Sequence, residues 1–233
     1  MRARRGDADE QALIEGLLHA YRMGAFPMAD HRTGAIEFYS ADPRGILPLS
    51  ARDGLHVPRS VDREIRRGRF TIRTDSAFEE VMHGCSLPRA DGDPSWINDT
   101  LIAWYGALHR AGHAHSLEAW LQEPDTGTHA LVGGIYGVSI GAAFFGESMF
   151  CIPQPRLDDG SRHPLDGSDA SKVCLVLLVR HLEACGYQLF DTQMVTDHVA
   201  RFGAIEVPRD RYLRRLTLAT GADDAWRPLP AAD

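Results

Sequence analysis

Apolar residues recur at helical spacing over 9–23, where Leu13, Leu17, Leu18 and Tyr21 share one face and Gly24 ends the run. A turn-rich stretch follows through Pro27, Gly34, Pro43 and Pro48. The pattern predicts a short basic helix over 60–68, with Ser60 as N-cap and Gly68 as stop. It predicts a strand over 70–74, then helices over 76–84 and 97–111, the last closed by Gly112. The period then changes. Residues 115–121, 130–138 and 142–150 read as three successive strands separated by turn residues. Residues 152–169 are rich in Pro, Gly and Asp and read as a mobile surface loop. A strongly apolar helix is expected over 168–184, a strand over 187–192, and helices over 195–202 and 209–219. The pattern gives an α+β chain: a mostly helical first part over 1–95, and a second part over 96–233 built on a meander and a long helix.

Composition narrows the function classes. The chain has 233 residues, 44% hydrophobic and 24% charged, which are ordinary globular values that argue against overall disorder. Its formal net charge is −7, which argues against a basic protein that coats nucleic acid. All 25 basic residues but Lys172 are arginine, a bias that codon usage alone can produce. No stretch approaches 18 uncharged apolar residues, and the acidic segment 7–10 follows the basic start where a signal peptide needs an apolar core, so a cytoplasmic protein is expected. Cys85, Cys151, Cys174 and Cys185 form no CxxC pair and read as free thiols. His109, His113 and His115 cluster, but Gly112 interrupts the helical spacing, so no metal site is expected.

Three features carry possible chemistry. In Gly146-Glu147-Ser148-Met149-Phe150, a glutamate follows a glycine at the end of an apolar strand, where backbone lets a ligand approach. Spacing alone favours the plainer reading of Glu147 as a strand-end acid facing solvent. Strand alternation puts Asp191 and Gln193 on one face, able to orient an amine and steady a developing charge; an edge pair is the plainer alternative. In the arginine-rich run from 59 to 73, six arginines face two acids, and Arg59, Arg63, Arg66 and Arg67 share one helical face suited to phosphates or to plain solvation. Phe38, Tyr39 and Trp96 can stack on a base or fill a core. No Walker, GxSxG or GxGxxG motif is present.

Taken in order, these pieces resemble a known pattern. Tyr21-Arg22-Met23-Gly24-Ala25-Phe26-Pro27 is followed by Phe38-Tyr39-Ser40-Ala41-Asp42-Pro43-Arg44 and Trp96-Ile97. Next come Leu108-His109, Gly112-His113-Ala114-His115-Ser116, the glycine-rich 131–138, the Glu147 motif and Ala170-Ser171-Lys172. Asp191-Thr192-Gln193, Asp197-His198, Phe202-Gly203-Ala204 and 209–212 close the set. In order and spacing the chain resembles the leucyl/phenylalanyl-tRNA–protein transferase family over roughly residues 12–215.

The resemblance implies transfer of Leu or Phe, less readily Met, from aminoacyl-tRNA to the N-terminal Arg or Lys of a protein, which creates an N-degron. It implies a small N-terminal α/β domain followed by a GNAT-like acyltransferase domain, no cofactor or metal, Leu-tRNA and Phe-tRNA as partners, and a monomer that needs no membrane. The family's catalytic pair falls on Asp191 and Gln193, with Asp191 expected to help deprotonate the attacking amine. Glu147 falls at the acceptor site. The aminoacyl side-chain pocket falls on Ile135, Phe144, Gly146, Leu175 and Leu178, the adenosine stack on Tyr39 and Trp96, and the tRNA grip on Arg59, Arg63, Arg66 and Arg67. Phe38-Tyr39 stands where the family commonly has two tryptophans, Thr192 where cysteine is frequent, and Ile135 where methionine is frequent. Loop 152–169 is longer than is usual in the family and lies where it can cover the site. The competing reading is a GNAT-type N-acetyltransferase using acetyl-CoA; its pyrophosphate loop finds only a poor match at 89–92, spoiled by Asp93 and Pro94.

Overall fold

The computed structural model describes residues 2–88 and 95–229. The poor match to a pyrophosphate loop at 89–92 lies outside the described residues. The chain opens with helix α1 (Arg2–Arg22), then a two-stranded hairpin of β1 (Phe26–Ala29) and β2 (Ile36–Tyr39), and a three-residue strand β3 (Arg44–Ile46). Helix α2 (Arg59–Arg67), strand β4 (Thr71–Thr74), helix α3 (Phe78–Ser86) and helix α4 (Asp99–Arg110) follow. Then come the long strands β5 (Ala114–Gln122), β6 (His129–Ile140) and β7 (Ala143–Cys151), and helix α5 (Ala170–Ala184). Strand β8 (Leu189–Gln193), short helix α6 (Asp197–Ala200), strand β9 (Ile205–Val207) and helix α7 (Arg209–Thr220) complete the order.

Seven strands form one mixed sheet in the order β4-β5-β6-β7-β8-β3-β9. All neighbours are antiparallel except β7 and β8, which run parallel. Alternation along the strands sends side chains to two cores, one on each face. Phe145 and Tyr136 join α1, α3, α4 and α7 on one face, while Phe144 and Ile135 join α2 and α5 on the other. The sheet takes strands from both sides of residue 95: β4 pairs with β5 at one edge, and β3 lies between β8 and β9.

Periodicity located most long elements to within a few residues, but α1 begins seven residues before the expected residue 9, because the polar segment ahead of it continues the helix. α2 begins at Arg59, one residue before the expected Ser60 cap, and its N-cap is Pro58, which makes no side-chain cap bond; Gly68 stops it with φ 60° as the glycine predicts. Asn98 caps α4 by accepting from the Leu101 N–H. The helix expected over 195–202 shrinks to α6, capped by Thr196. β1, β2, β3 and β9 lie in stretches read as turns or left unassigned. Each has three or four residues, too few to show a period of two, and their partners fix them.

Loop 152–169 is mostly exposed, but its C-terminal end is tied down. Asp166 accepts from the Gln154 and Ser168 N–H groups, and Arg162 bridges Asp166 and the buried Glu64 of α2. Arg69 donates to the Asp166 carbonyl. Burial opposes the Asp166 charge, yet hydrogen bonds from the Ser168 hydroxyl, the Gln154 and Ser168 N–H groups and Arg162 hold its carboxyl well below the usual range.

Candidate active site

Parallel β7 and β8 pair only from Ala143 with Leu189 to Phe145 with Asp191, and then part. A cavity of about 710 Å³ opens between the parted strands, lined also by the start of α5 and by α6. Beside it lies a second cavity of about 460 Å³, walled by Phe26, Met28, Tyr39 and Trp96. The two share Glu147, Thr192, Gln193, Met194 and Thr196.

Local irregularities aim the shared residues. On β7, Gly146 faces Gly137 and Ser148 faces Tyr136, so Glu147 is an extra residue without a partner on β6. Such a bulge re-aims a side chain. Gly146 makes the bulge compatible with the pocket: a Cβ there would lie 2.5 Å from the Phe190 ring. On β8, Asp191 faces Ile46 and Gln193 faces Gly45, which leaves Thr192 as a second bulge. Gln193 is held at φ 58°, a left-handed conformation that costs a non-glycine residue about 1–2 kcal/mol.

The restraint on Gln193 comes from Asp191. This fully buried carboxylate accepts the Gln193 N–H at 2.7 Å. It also accepts a two-pronged bond from the fully buried Arg44, Nε to Oδ1 at 2.9 Å and Nη2 to Oδ2 at 2.8 Å, and a bond from the Tyr212 hydroxyl. Arg44 donates from Nη1 to the Gly24 carbonyl at 2.9 Å, and its guanidinium sits 4.8 Å from the ring centres of both Phe26 and Tyr212. Burial opposes the Arg44 charge, but Asp191 outweighs it and raises the pKa further. Asp191 lines neither cavity.

Glu147 sits between two helices. Tyr21 of α1 donates to its Oε1 at 2.8 Å and Tyr105 of α4 to its Oε2 at 3.1 Å, while the two phenol oxygens lie 2.6 Å apart. The Gln193 side-chain amide reaches Oε1 at 3.4 Å. Loss of hydration raises the Glu147 pKa to about 7, against the lowering effect of the two phenols and Arg44. Burial first, and Glu147 next, push both tyrosines well above their usual range, so both phenols stay protonated.

The residues expected from sequence fall into four groups. Ile135, Gly146, Leu175, Glu147 and Gln193 line the larger cavity. Tyr39 and Trp96 line the smaller one with Glu147 and Gln193. Phe144 and Leu178 are buried and line neither cavity; Phe144 meets Phe190, a buried ring on the wall of the larger cavity, edge-on at 5.5 Å. Arg59, Arg63, Arg66 and Arg67 are exposed on α2, away from both cavities, with Arg66 paired to Asp62 and Arg67 to Glu64. Lys172 lines the larger cavity and pairs with Asp169 at 2.6 Å. Sequence reasoning gave no role to Tyr21, Arg44, Tyr105, Phe190 or Tyr212. Tyr21, Arg44 and Tyr212 stood inside quoted motif pieces, but no local spacing joins them to Glu147 or Asp191. Among the described residues no cluster of His, Cys, Asp and Glu has the arrangement to hold a metal ion.

Residues 47–217 match the family model described as leucyl/phenylalanyl-tRNA protein transferase, and residues 12–42 match the model of that family's N-terminal domain. The leucyl/phenylalanyl-tRNA–protein transferase of Ruegeria pomeroyi is 46% identical over 213 residues, covering 90% of this chain and 88% of the relative. A family model matched over most of the chain and a relative 46% identical to it place this chain in the leucyl/phenylalanyl-tRNA–protein transferase family, and it is an aminoacyltransferase.

Proposed function

We propose that this aminoacyltransferase moves Leu or Phe, and less readily Met, from aminoacyl-tRNA to the N-terminal Arg or Lys of an acceptor protein, and so marks that protein with an N-degron. The observation that carries the reading is the shared wall between the two cavities, where a bulged carboxylate meets an amide held in a fixed turn. The larger cavity, with Ile135, Leu175 and Phe190 on its wall and Phe144 and Leu178 behind it, takes the aminoacyl side chain. An apolar wall separates Leu from Phe weakly and excludes charged side chains by desolvation. Tyr39 and Trp96 stack on the terminal adenosine, and Arg59, Arg63, Arg66 and Arg67 hold the tRNA backbone.

Glu147 receives the cationic α-amino group of the acceptor where the cavities meet. Gln193 faces the reacting ester and steadies the tetrahedral adduct with its side-chain amide. Asp191 serves this chemistry as a positioning residue: its lone pairs are taken by Arg44, Tyr212 and the Gln193 N–H, and it fixes the turn that presents the amide. The donor is an activated ester, so alignment and proton removal suffice. The parting of a parallel strand pair around an acyl pocket suits a GNAT-like fold, and the tRNA substrate suits a cytoplasmic monomer. The acetyl-CoA reading is not favoured, given the family to which the chain belongs.

Incubation with Leu-tRNA and a peptide beginning with Arg tests the reading. Addition of one leucine, seen by mass spectrometry and abolished by RNase, is expected. Acetyl-CoA-dependent labelling with no response to charged tRNA would overturn it.

A further inference from the structure

Glu147, Tyr21 and Tyr105 form a closed triangle of oxygens: phenol to phenol 2.6 Å, Tyr21 to Oε1 2.8 Å and Tyr105 to Oε2 3.1 Å. Each phenol carries one hydrogen. With the carboxylate ionised, two hydrogens serve three contacts, and one pair of oxygens faces without a proton between them. A proton on Oε2 fills the gap: Oε2–H donates to Tyr105, Tyr105 donates to Tyr21, and Tyr21 donates to Oε1. The triangle is therefore built to hold one more proton, at the point where both cavities meet. Asp191 has no such vacancy, since five hydrogen bonds from three partners occupy it and it reaches neither cavity.

Resting on the acceptor site proposed above, we propose that Glu147 is the general base of the transfer, taking the proton from the acceptor's α-ammonium before attack. The ammonium N–H bond breaks and the proton passes to Oε2, leaving a neutral amine and a protonated Glu147. The amine lone pair attacks the ester carbonyl carbon, and the carbonyl π electrons move to oxygen. As the adduct collapses, the carbon–oxygen bond to the terminal ribose breaks, the new amide nitrogen loses its second proton, and the ribose oxygen gains one. One proton is released to solvent per turnover, which restores the Glu147 carboxylate.

The charged and titratable groups facing Glu147 are consistent with this role. Those that act on it are Tyr21 from α1, Arg44 from β3, Tyr105 from α4, Tyr136 from β6 and Asp191 from β8, while Lys172, Asp197 and His198 lie elsewhere on the larger cavity's wall and Asp30 and His31 on the smaller one's. The three tyrosines stay neutral, and Arg44 and Asp191 cancel each other. Desolvation then leaves the carboxyl titrating at about 7, close to an α-ammonium at about 8, which makes it a well-matched acceptor.

The test is the pH profile of kcat/KM for leucine transfer to an Arg-initiated peptide. Wild type should give a bell, with an acid limb from Glu147 and a basic limb from the α-ammonium. Glu147→Gln, which keeps the size and hydrogen bonding, should lose about 10²–10⁴-fold at pH 7. Its rate should rise steadily with pH through the amine pKa and show no basic limb, because only pre-formed free amine reacts. A Glu147→Gln profile that keeps the wild-type rate and bell overturns the inference and leaves the proposed function standing. Absence of any wild-type transfer overturns the proposed function and this inference with it. Should Glu147→Gln fail to fold, infrared titration of the wild-type protein decides. A protonated-carboxyl band growing in as pH falls through about 7 supports the assignment, and no band in that range overturns it.

Discussion

Arg44 and Asp191 are fully buried together and pair with each other at 2.8 Å. A buried ion pair adds little net stability, but loss of one partner strands the other and costs about 3–5 kcal/mol. Arg44→Met is therefore expected to lower the unfolding free energy, read from urea denaturation, by that amount, and an unchanged value would mean the pair contributes nothing. Gly146 offers a second test at this scale. Gly146→Ala drives a Cβ into the Phe190 ring and should cost about 1–3 kcal/mol, with altered selection between Leu and Phe. Phe190→Leu in the same chain should recover much of that loss in thermal denaturation; purely additive losses would show that the ring is not the obstacle. Asp191 and Gln193 were legible as a pair because strand alternation places them together. Their division of labour was not, since it depends on Arg44 and Tyr212 arriving from distant parts of the chain.

At the scale of elements, α2 and the loop after β7 meet through Glu64. Arg67 and Arg162 bind this one buried carboxylate, and Arg69 lies near it. The arginines of α2 are exposed to solvent, with Arg66 paired to Asp62 and Arg67 to Glu64 of their own helix. Arg66→Glu with Arg67→Glu should weaken binding of charged tRNA and flatten the plot of log affinity against log salt by about one to two units, measured by filter binding. An unchanged slope would leave the basic face as a solvated surface. The loop has its own test. Asp166→Ala removes the acceptor for Arg162 and for the Gln154 and Ser168 N–H groups. Limited proteolysis should then cleave within 152–169 faster than in wild type while the rest of the chain stays resistant. Equal cleavage would show that Asp166 does not tie the loop. Composition marked the loop as surface, and its exposed middle agrees; its anchoring on α2 joins residues about a hundred positions apart, beyond the reach of any local pattern.

Across the whole molecule, Glu147 couples the site to stability. Its folded pKa, about 7, stands above the ordinary 4.5, so folding favours the protonated form. The stabilising contribution is complete below pH 4.5 and is lost as pH rises through about 7. Compared with Glu147→Gln, the wild type should therefore lose stability over that range, by no more than about 3 kcal/mol, in paired thermal melts across pH. A difference that stays flat with pH would remove the shifted carboxyl. The sequence by itself determined the long helices and strands, because a period of 3.6 or 2 persists over nine or more residues. It also determined the family, because a dozen short motifs keep one order. Tertiary structure alone decided that β3 enters the sheet beside β8, that β7 and β8 part to open a cavity, and that Tyr21 and Tyr105 converge on a bulged Glu147. These features arise from pairing and burial between segments far apart in the chain. No local period encodes them, so they exist only once both faces of the sheet are packed.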